Sequence, residues 1–199
     1  MEHELHTDTT PTVPPMEKRE NPFSEMLRFA LIALVIVIPI RIFIAQPFIV
    51  SGASMVPTFQ NGQYLIVDQL TYRFEKPKNG DVIVFKYPKD PSKYFIKRVI
   101  GIPGDTIAIN GNVITLTDKE HPDGLVLQEP YIAHMNPTTS LTEVLGDGEY
   151  FVMGDNRDNS SDSRMWGILP EDLIVGRAFL RLFPLDNASF LPGKAVITS

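Results

Sequence analysis

Between Phe29 and Ala45 the chain reads FALIALVIVIPIRIFIA, an almost unbroken apolar run. No other feature restricts the fold so strongly, because such a segment has to lie in a lipid bilayer or in the middle of a protein core. As a helix, about 17 residues extend roughly 25 Å, the short end of what a bilayer core requires. Pro39 introduces a kink that neighbouring groups can absorb in a membrane. Arg41 lies about four residues from the apolar end, near enough for its head to reach the interface. A cleaved signal does not fit, since no A-x-A-like site precedes the Ser51 region. Residues 25–46 are therefore read as a retained transmembrane anchor, with a buried core helix as the alternative. Lys18, Arg19 and Arg28 precede the run, and after Arg41 no basic residue occurs until Arg73. The positive-inside rule then puts the N-terminus in the cytoplasm and everything after Gln46 on the outer face. Residues 1–24, polar and carrying Pro11, Pro14 and Pro15, read as a disordered cytoplasmic tail.

Beyond the anchor the pattern changes to short strands. Tyr64–Asp68 and Asp81–Phe85 are rich in β-branched and aromatic residues, and each follows a turn signal, Asn61-Gly62 and Asn79-Gly80. Tyr94–Ile100 reads as a strand ending near Pro103-Gly104-Asp105. Thr106–Asn110 and Asn112–Thr117 flank Gly111 as a hairpin, and Tyr150–Met153 and Leu173–Phe183 follow. Frequent turns between short strands predict a mainly β domain over 47–185 rather than a βαβ fold. Within it, 118–148 is polar and proline-bearing and reads as a loop-rich, variable insertion, and 186–199 reads as a C-terminal tail. With 43% hydrophobic and 21% charged residues there is enough apolar material for a core. A net charge of −6 gives no basis for nucleic-acid binding. There is no cysteine, which removes disulfides, thiol catalysis and cysteine-ligated metals. His3, His6, His121 and His134 lack metal-site spacing, so neither a metal nor a cofactor is expected.

Directly after the anchor, Val50–Thr58 holds Ser54 between a glycine and a Met-x-Pro corner. A serine hydroxyl is a weak nucleophile and needs a base, which histidine, lysine or a carboxylate can supply. His121 and His134 fall in the insertion, where a base is poorly held. Lys97 lies in an apolar strand beside Ile96. Taken alone, a strand lysine is more often on a solvated face.

Four stretches occur together: the Ser54 segment, Gly80–Phe85, Ile96–Asp105, and Gly154-Asp155-Asn156-Arg157-Asp158-Asn159-Ser160-Ser161-Asp162-Ser163-Arg164 followed by Trp166-Gly167. In this order and spacing they closely resemble the bacterial type I signal peptidases, membrane-bound Ser/Lys proteases, over about residues 25–180. The late run is the most specific of the four. The resemblance implies a coiled β-sheet or barrel catalytic domain behind one transmembrane helix, in the bacterial cytoplasmic membrane with the domain on the outer face. It implies Ser54 as nucleophile and a neutral Lys97 as general base. Bringing a lysine from about 10.4 to about 8 takes roughly 3 kcal/mol of destabilisation of the ammonium. Apolar walls can provide that, helped by the like charge of Arg98 if it is near.

By the same resemblance Ser160 hydrogen-bonds the Lys97 amine, Asp162 and Arg164 brace the site, and Asp155 and Arg157 support it. The Ser54 N–H is one oxyanion donor. The position two before the nucleophile is Ala53 where many Gram-negative members carry serine, which leaves the second donor as the Ser51 hydroxyl, a backbone N–H near Gly52, or neither. Ile49, Val50, Met55, Phe95 and Ile96 are expected to line shallow pockets for the small residues of Ala-x-Ala sites. The implied partners are signal peptides of secreted preproteins, membrane lipid and a nearby export translocon. Two other readings compete. One is a self-cleaving Ser/Lys protease of the SOS-repressor type, whose DNA-binding module is replaced here by tail and apolar span. The other is a membrane-anchored peptide-binding domain without activity, against which Ser54, Lys97 and Ser160 together speak.

Overall fold

The computed structural model describes residues 21–39, 45–132 and 140–195, and the chain divides into two compact units with the boundary between Ile38 and Pro39. The described part of the first unit belongs to helix α1, Pro22–Pro39, whose last residue falls just past that boundary. Asn21 starts it, its Oδ1 accepting from the Phe23 N–H at 3.4 Å and its carbonyl from the Ser24 hydroxyl at 2.9 Å. Glu25 sits in the first turn, where its charge complements the helix dipole. Leu34, Val35, Ile36, Val37 and Ile38 are all exposed. At 3.6 residues per turn these five positions go round the full circumference, so this end of the helix is apolar on every side.

Among the described residues no helix is long and apolar enough to cross a membrane. The helix also differs from the expected anchor at both ends. Residues 22–24, expected in the tail, are already helical, whereas Ala45 and Gln46, expected at the end of the span, open strand β1 (Ala45–Ile49). Arg41 and the tail residues 1–20 lie outside the described residues.

The second unit is mainly β, with two antiparallel sheets. The larger contains β1 (Ala45–Ile49), β2 (Tyr64–Asp68), β3 (Val82–Tyr87), β4 (Asp90–Gly101), β9 (Glu149–Met153), β10 (Leu169–Pro170), β11 (Ile174–Phe183) and β12 (Ser189–Phe190). Its order is β1-β2-β11-β3-β4-β9-β10, with β12 added on β11. The sheet is open, ending in β1 and β10, so among the described residues it does not close into a barrel. Pro47, which cannot donate to a ladder, sits in the edge strand β1, where that costs least. The smaller sheet, β7-β6-β5-β8, uses Thr106–Asn110 as β5, Val113–Thr117 as β6, Leu125–Val126 as β7 and Ser140–Val144 as β8.

Burial follows the residue patterns. Val82, Ile83, Val84 and Phe85 of β3 are buried on both faces, as a continuous apolar run requires. In β5 and β6 burial alternates, and Ile107, Ile109, Ile114 and Leu116 point into a core shared with Ile100, Phe151 and Met153. A second cluster gathers Ile83, Phe85, Val99, Tyr150, Val152 and Leu169. A third places Met55 and Phe59 against Leu65 and Val82, which anchors the segment after Ser54 from below.

Two stretches expected to be peripheral are part of the architecture. The insertion 118–148 supplies β7 and β8, and β8 pairs with β5 from Thr106↔Val144 to Asn110↔Ser140. The presumed tail continues through a 3₁₀ turn at Leu185–Asn187 and β12 to Ala195, whose N–H reaches the Gly80 carbonyl. Gly193 is pressed so closely that a Cβ would stand 2.5 Å from Thr58 Cγ2.

Candidate active site

Strand β4 runs antiparallel between β3 and β9, with Lys97 opposite Ile83 and Arg98 opposite Val82 and Met153. Successive side chains of a strand point to opposite faces. Lys97 therefore turns toward the Ser54 segment, and Arg98 turns the other way, into the protein. Lys97 Nζ lies 2.7 Å from Ser54 Oγ and 2.9 Å from the carbonyl of Ile96. Only 4% of Lys97 is exposed, and its amine stands 5.2 Å from the centroid of the Phe95 ring. Burial lowers its pKa to about 8, against the opposing pull of Asp162 and then Asp155. An amine of that kind is substantially neutral in mildly alkaline water and can accept the proton of the hydroxyl it touches.

The nucleophile segment is held at several points. The Gly52 N–H donates to Asn61 Oδ1 at 2.9 Å, and Gly52 has φ 94°, which a glycine adopts without strain. The Phe59 N–H closes a turn onto the Met55 carbonyl at 2.8 Å. Asn156 donates twice, from its N–H to the Ser54 carbonyl and from Nδ2 to the Ala53 carbonyl, both at 3.0 Å. Gly154 allows this approach, because a Cβ there would stand 2.4 Å from the Ser54 carbonyl oxygen and 2.2 Å from Ser160 Oγ.

Behind the pair lie three buried ion pairs. Arg98, fully buried, binds Asp155 with Nε–Oδ1 at 2.8 Å and Nη2–Oδ2 at 2.6 Å. It also donates to the carbonyls of Gly80 and Gly193 and stacks on the Tyr131 ring. Asp155 Oδ2 accepts the Thr58 hydroxyl at 2.5 Å, which ties the ion pair to the turn that carries Ser54. Arg164 grips Asp162 through Nε at 2.8 Å and Nη2 at 2.9 Å, while Asp162 Oδ2 accepts the Gly154 N–H at 3.0 Å. Asp162 also caps the short helix α2, Ser163–Trp166. Arg157 donates to the Gly154 carbonyl at 3.0 Å and pairs with Glu129. Burial works against the Arg157 charge, and Glu129 more than compensates, raising its pKa.

A cavity of about 420 Å³ opens beside Ser54 and Lys97. Ile49, Val50, Phe95 and Ile96 line it, as do Phe48 and Tyr94, whose rings meet at 5.4 Å. Among the described residues no group of three or more His, Cys, Asp or Glu side chains could hold a metal ion.

Several expected roles change. Ser160 does not reach Lys97: among the described residues its buried Oγ has no hydrogen-bond partner, and Lys97 uses its own strand's Ile96 carbonyl instead. The like charge of Arg98 plays no part in lowering the Lys97 pKa, since Arg98 faces away and is met by Asp155. Met55 is core, 1% exposed, and does not line the cavity. The Gly52 N–H is already engaged by Asn61 and is not free to bind an oxyanion. Ser51 lines the cavity and is exposed.

Asn156, Thr58, Glu129, Asn61 and Gly193 were not anticipated. For Asn156 and Thr58 the signal was their place inside the motif runs themselves. Glu129 and Gly193 carried no local signal.

A serine hydroxyl touching a buried lysine amine beside an apolar cleft is an arrangement in which the amine can activate the hydroxyl. The family model described as signal peptidase, peptidase S26, matches residues 23–183. The "Probable signal peptidase I-1" of Synechocystis sp. is 38% identical over 189 residues, covering 88% of this chain and 93% of that protein. The "Signal peptidase I T" of Bacillus subtilis is 33% identical over 199 residues, covering 94% and 97%. A solved structure of a signal peptidase I from Enterococcus faecalis V583 is 29% identical, with a TM-score of 0.44, covering 52% of this chain and 97% of that one. The chain belongs to the signal peptidase family, peptidase S26, a family of serine endopeptidases.

Proposed function

We propose that this chain is a membrane-anchored signal peptidase that removes signal peptides from exported preproteins, with Ser54 as nucleophile and neutral Lys97 as general base. The observation that carries the reading is the 2.7 Å contact between Ser54 Oγ and a buried Lys97 amine whose pKa burial lowers to about 8. Ser54 Oγ attacks the carbonyl carbon of the scissile peptide as its proton passes to Lys97 Nζ. The tetrahedral oxyanion accepts the Ser54 N–H, with the Ser51 hydroxyl as the candidate second donor. As the tetrahedral intermediate collapses, the ammonium of Lys97 gives its proton to the leaving amine, and the C–N bond breaks to leave an acyl-Ser54 ester. Water then loses a proton to Lys97, attacks the ester carbon and releases the new carboxylate, and the proton returns to Ser54.

The walls formed by Ile49, Val50, Phe95 and Ile96 favour alanine at the positions that enter them. Larger side chains meet the cost of overpacking, which matches cutting at Ala-x-Ala type sites. A helix α1 that is apolar on all sides at Leu34–Ile38 supports an anchor in lipid. The basic residues before it support a cytoplasmic N-terminus, with the catalytic unit on the outer face near the export translocon.

The test uses the protein in detergent with a preprotein carrying an Ala-x-Ala site. Wild type cuts, and Ser54→Ala and Lys97→Ala each lose on the order of 10³-fold or more in kcat. Full rate in Lys97→Ala would remove the dyad.

A further inference from the structure

The peptide unit joining Ala53 to Ser54 has one end tied and one end free. Its carbonyl oxygen accepts Asn156 Nδ2 at 3.0 Å, beside the Val56 N–H of the local turn at 3.2 Å. Among the described residues its N–H, that of Ser54, has no hydrogen-bond acceptor, and Ser54 is one of the residues that line the cavity. One residue on, the Ser54 carbonyl accepts the Asn156 backbone N–H at 3.0 Å. Asn156 thus grips two successive carbonyls with its two donors. The Ala53–Ser54 bond is trans, and in a trans peptide the C=O and N–H lie in one plane and point in opposite directions. Fixing the carbonyl fixes the direction of the N–H. A hydrogen bond at the carbonyl also polarises the amide and strengthens its N–H as a donor.

We infer that Asn156 is a positioning residue for the oxyanion site: by holding the Ala53 and Ser54 carbonyls it aims the Ser54 N–H at the oxygen that becomes negative in the transition state. The inference rests on the reading of Ser54 as nucleophile. Its neighbours fit the task. Asn156 stands between Asp155, clamped by Arg98, and Arg157, clamped by Glu129. Gly154 leaves the space through which this run comes up against Ser54. Preorganised donors speed reaction because they need no reorganisation as charge develops.

The experiment takes the full chain in detergent with the Ala-x-Ala preprotein and compares wild type, Asn156→Asp and Asn156→Ala. Asn156→Asp keeps the shape, removes the Nδ2 donor and sets a carboxylate oxygen against the Ala53 carbonyl. The expected result is a kcat lower by roughly 10–100-fold for Asn156→Asp and by less for Asn156→Ala. KM stays within about twofold in both variants, and in the uncharged Asn156→Ala the midpoint of the pH–rate curve does not move, since neither ground-state binding nor Lys97 is addressed.

A peptide aldehyde ending in alanine supplies a second readout. The serine hydroxyl adds across its carbonyl, the π bond opens, the hydroxyl proton passes through Lys97, and the new oxygen occupies the oxyanion position. Its inhibitory potency falls by the same factor as kcat/KM. A purely structural role would instead lower the melting temperature and the active fraction without this split. The inference is overturned by wild-type kcat in both variants, by a loss carried wholly in KM, or by a shifted pH midpoint in Asn156→Ala. If Asn156→Asp does not fold, Asn156→Ala and Asn156→Ser are read the same way, and failure of all three to fold makes Asn156 a residue of the fold and overturns the inference. A fully active Ser54→Ala would instead bring down the nucleophile reading, whereas an inactive Ser54→Ala beside a fully active Asn156→Asp removes this inference alone.

Discussion

Lys97 and Arg98 are adjacent cations, both buried, yet they leave strand β4 on opposite faces into environments of opposite design. On the Arg98 side every polar demand is met: a bidentate carboxylate from Asp155, two backbone carbonyls and an aromatic ring. On the Lys97 side a hydroxyl and a single carbonyl face the amine, and the Phe95 ring stands beside it. Burial costs an unpaired charge heavily, and a lysine can escape that cost by losing its proton. The contrast teaches that burial alone decides nothing; the partners decide whether a buried cation braces a fold or becomes a base. The two faces also depend on each other. Asp162 and Asp155 both pull the Lys97 pKa upward, and each is itself tied to a cation of the other side, Asp162 to Arg164 and Asp155 to Arg98.

The contrast is most severely broken by removing the paired cation. Arg98→Met leaves Asp155 buried without its partner and loosens Thr58, and is expected to cost about 3–5 kcal/mol of stability in denaturant melts. A cost under about 1 kcal/mol would mean the pair braces little.

Removing the unpaired cation has the opposite sign. Lys97→Met abolishes cutting but stabilises the fold by about 3 kcal/mol at most below pH 8. The sign follows from linkage: the folded-state pKa, about 8, lies below the unfolded value of 10.5. Between these values the unfolded chain binds more protons, so wild-type stability rises with pH across the window. The advantage of Lys97→Met therefore shrinks from pH 8 to about 10.5, which melts at pH 7 and pH 10 compare directly.

The smallest effect is the most specific. Arg164→Ala strips Asp162 of its partner, and the freed carboxylate favours the Lys97 ammonium. The pH–rate midpoint then moves upward by roughly half a unit. A downward shift would contradict the coupling between the two faces.

Much of this was legible in the chain, and the limits have a physical pattern. Strands β2 and β5 fall where alternation and β-branched residues place them, at Tyr64–Asp68 and Thr106–Asn110. Ser54 and Lys97 could be paired through the four motif stretches and the family they resemble; an unassisted serine demands a base, but a strand lysine alone reads as a residue of a solvated face. What stayed hidden depends on tertiary routes. Glu129 lies 28 residues from Arg157, in a segment whose polar composition reads as loop, and only the fold brings the two together. Gly193 reaches Arg98 across 95 residues, from a stretch that reads as tail. Ser160 shows the converse difficulty: a motif names the residue, yet which atom its hydroxyl meets depends on a local path that spacing does not resolve. The end of the apolar run was misplaced for a similar reason. Ala45 and Gln46 are apolar or neutral enough to extend a helix, but β2 offers them a ladder from Ala45↔Asp68 to Ile49↔Tyr64.

The central claim is that Lys97 works as a neutral amine because burial lowers its pKa, and the pH dependence of kcat/KM for the wild-type protein tests it most directly. The account predicts a single limb that rises with pH, has its midpoint near the Lys97 value of about 8, and reaches a plateau in the alkaline range. A profile flat from about pH 6 to 10, or a midpoint near an unperturbed lysine at about 10.4, would contradict it.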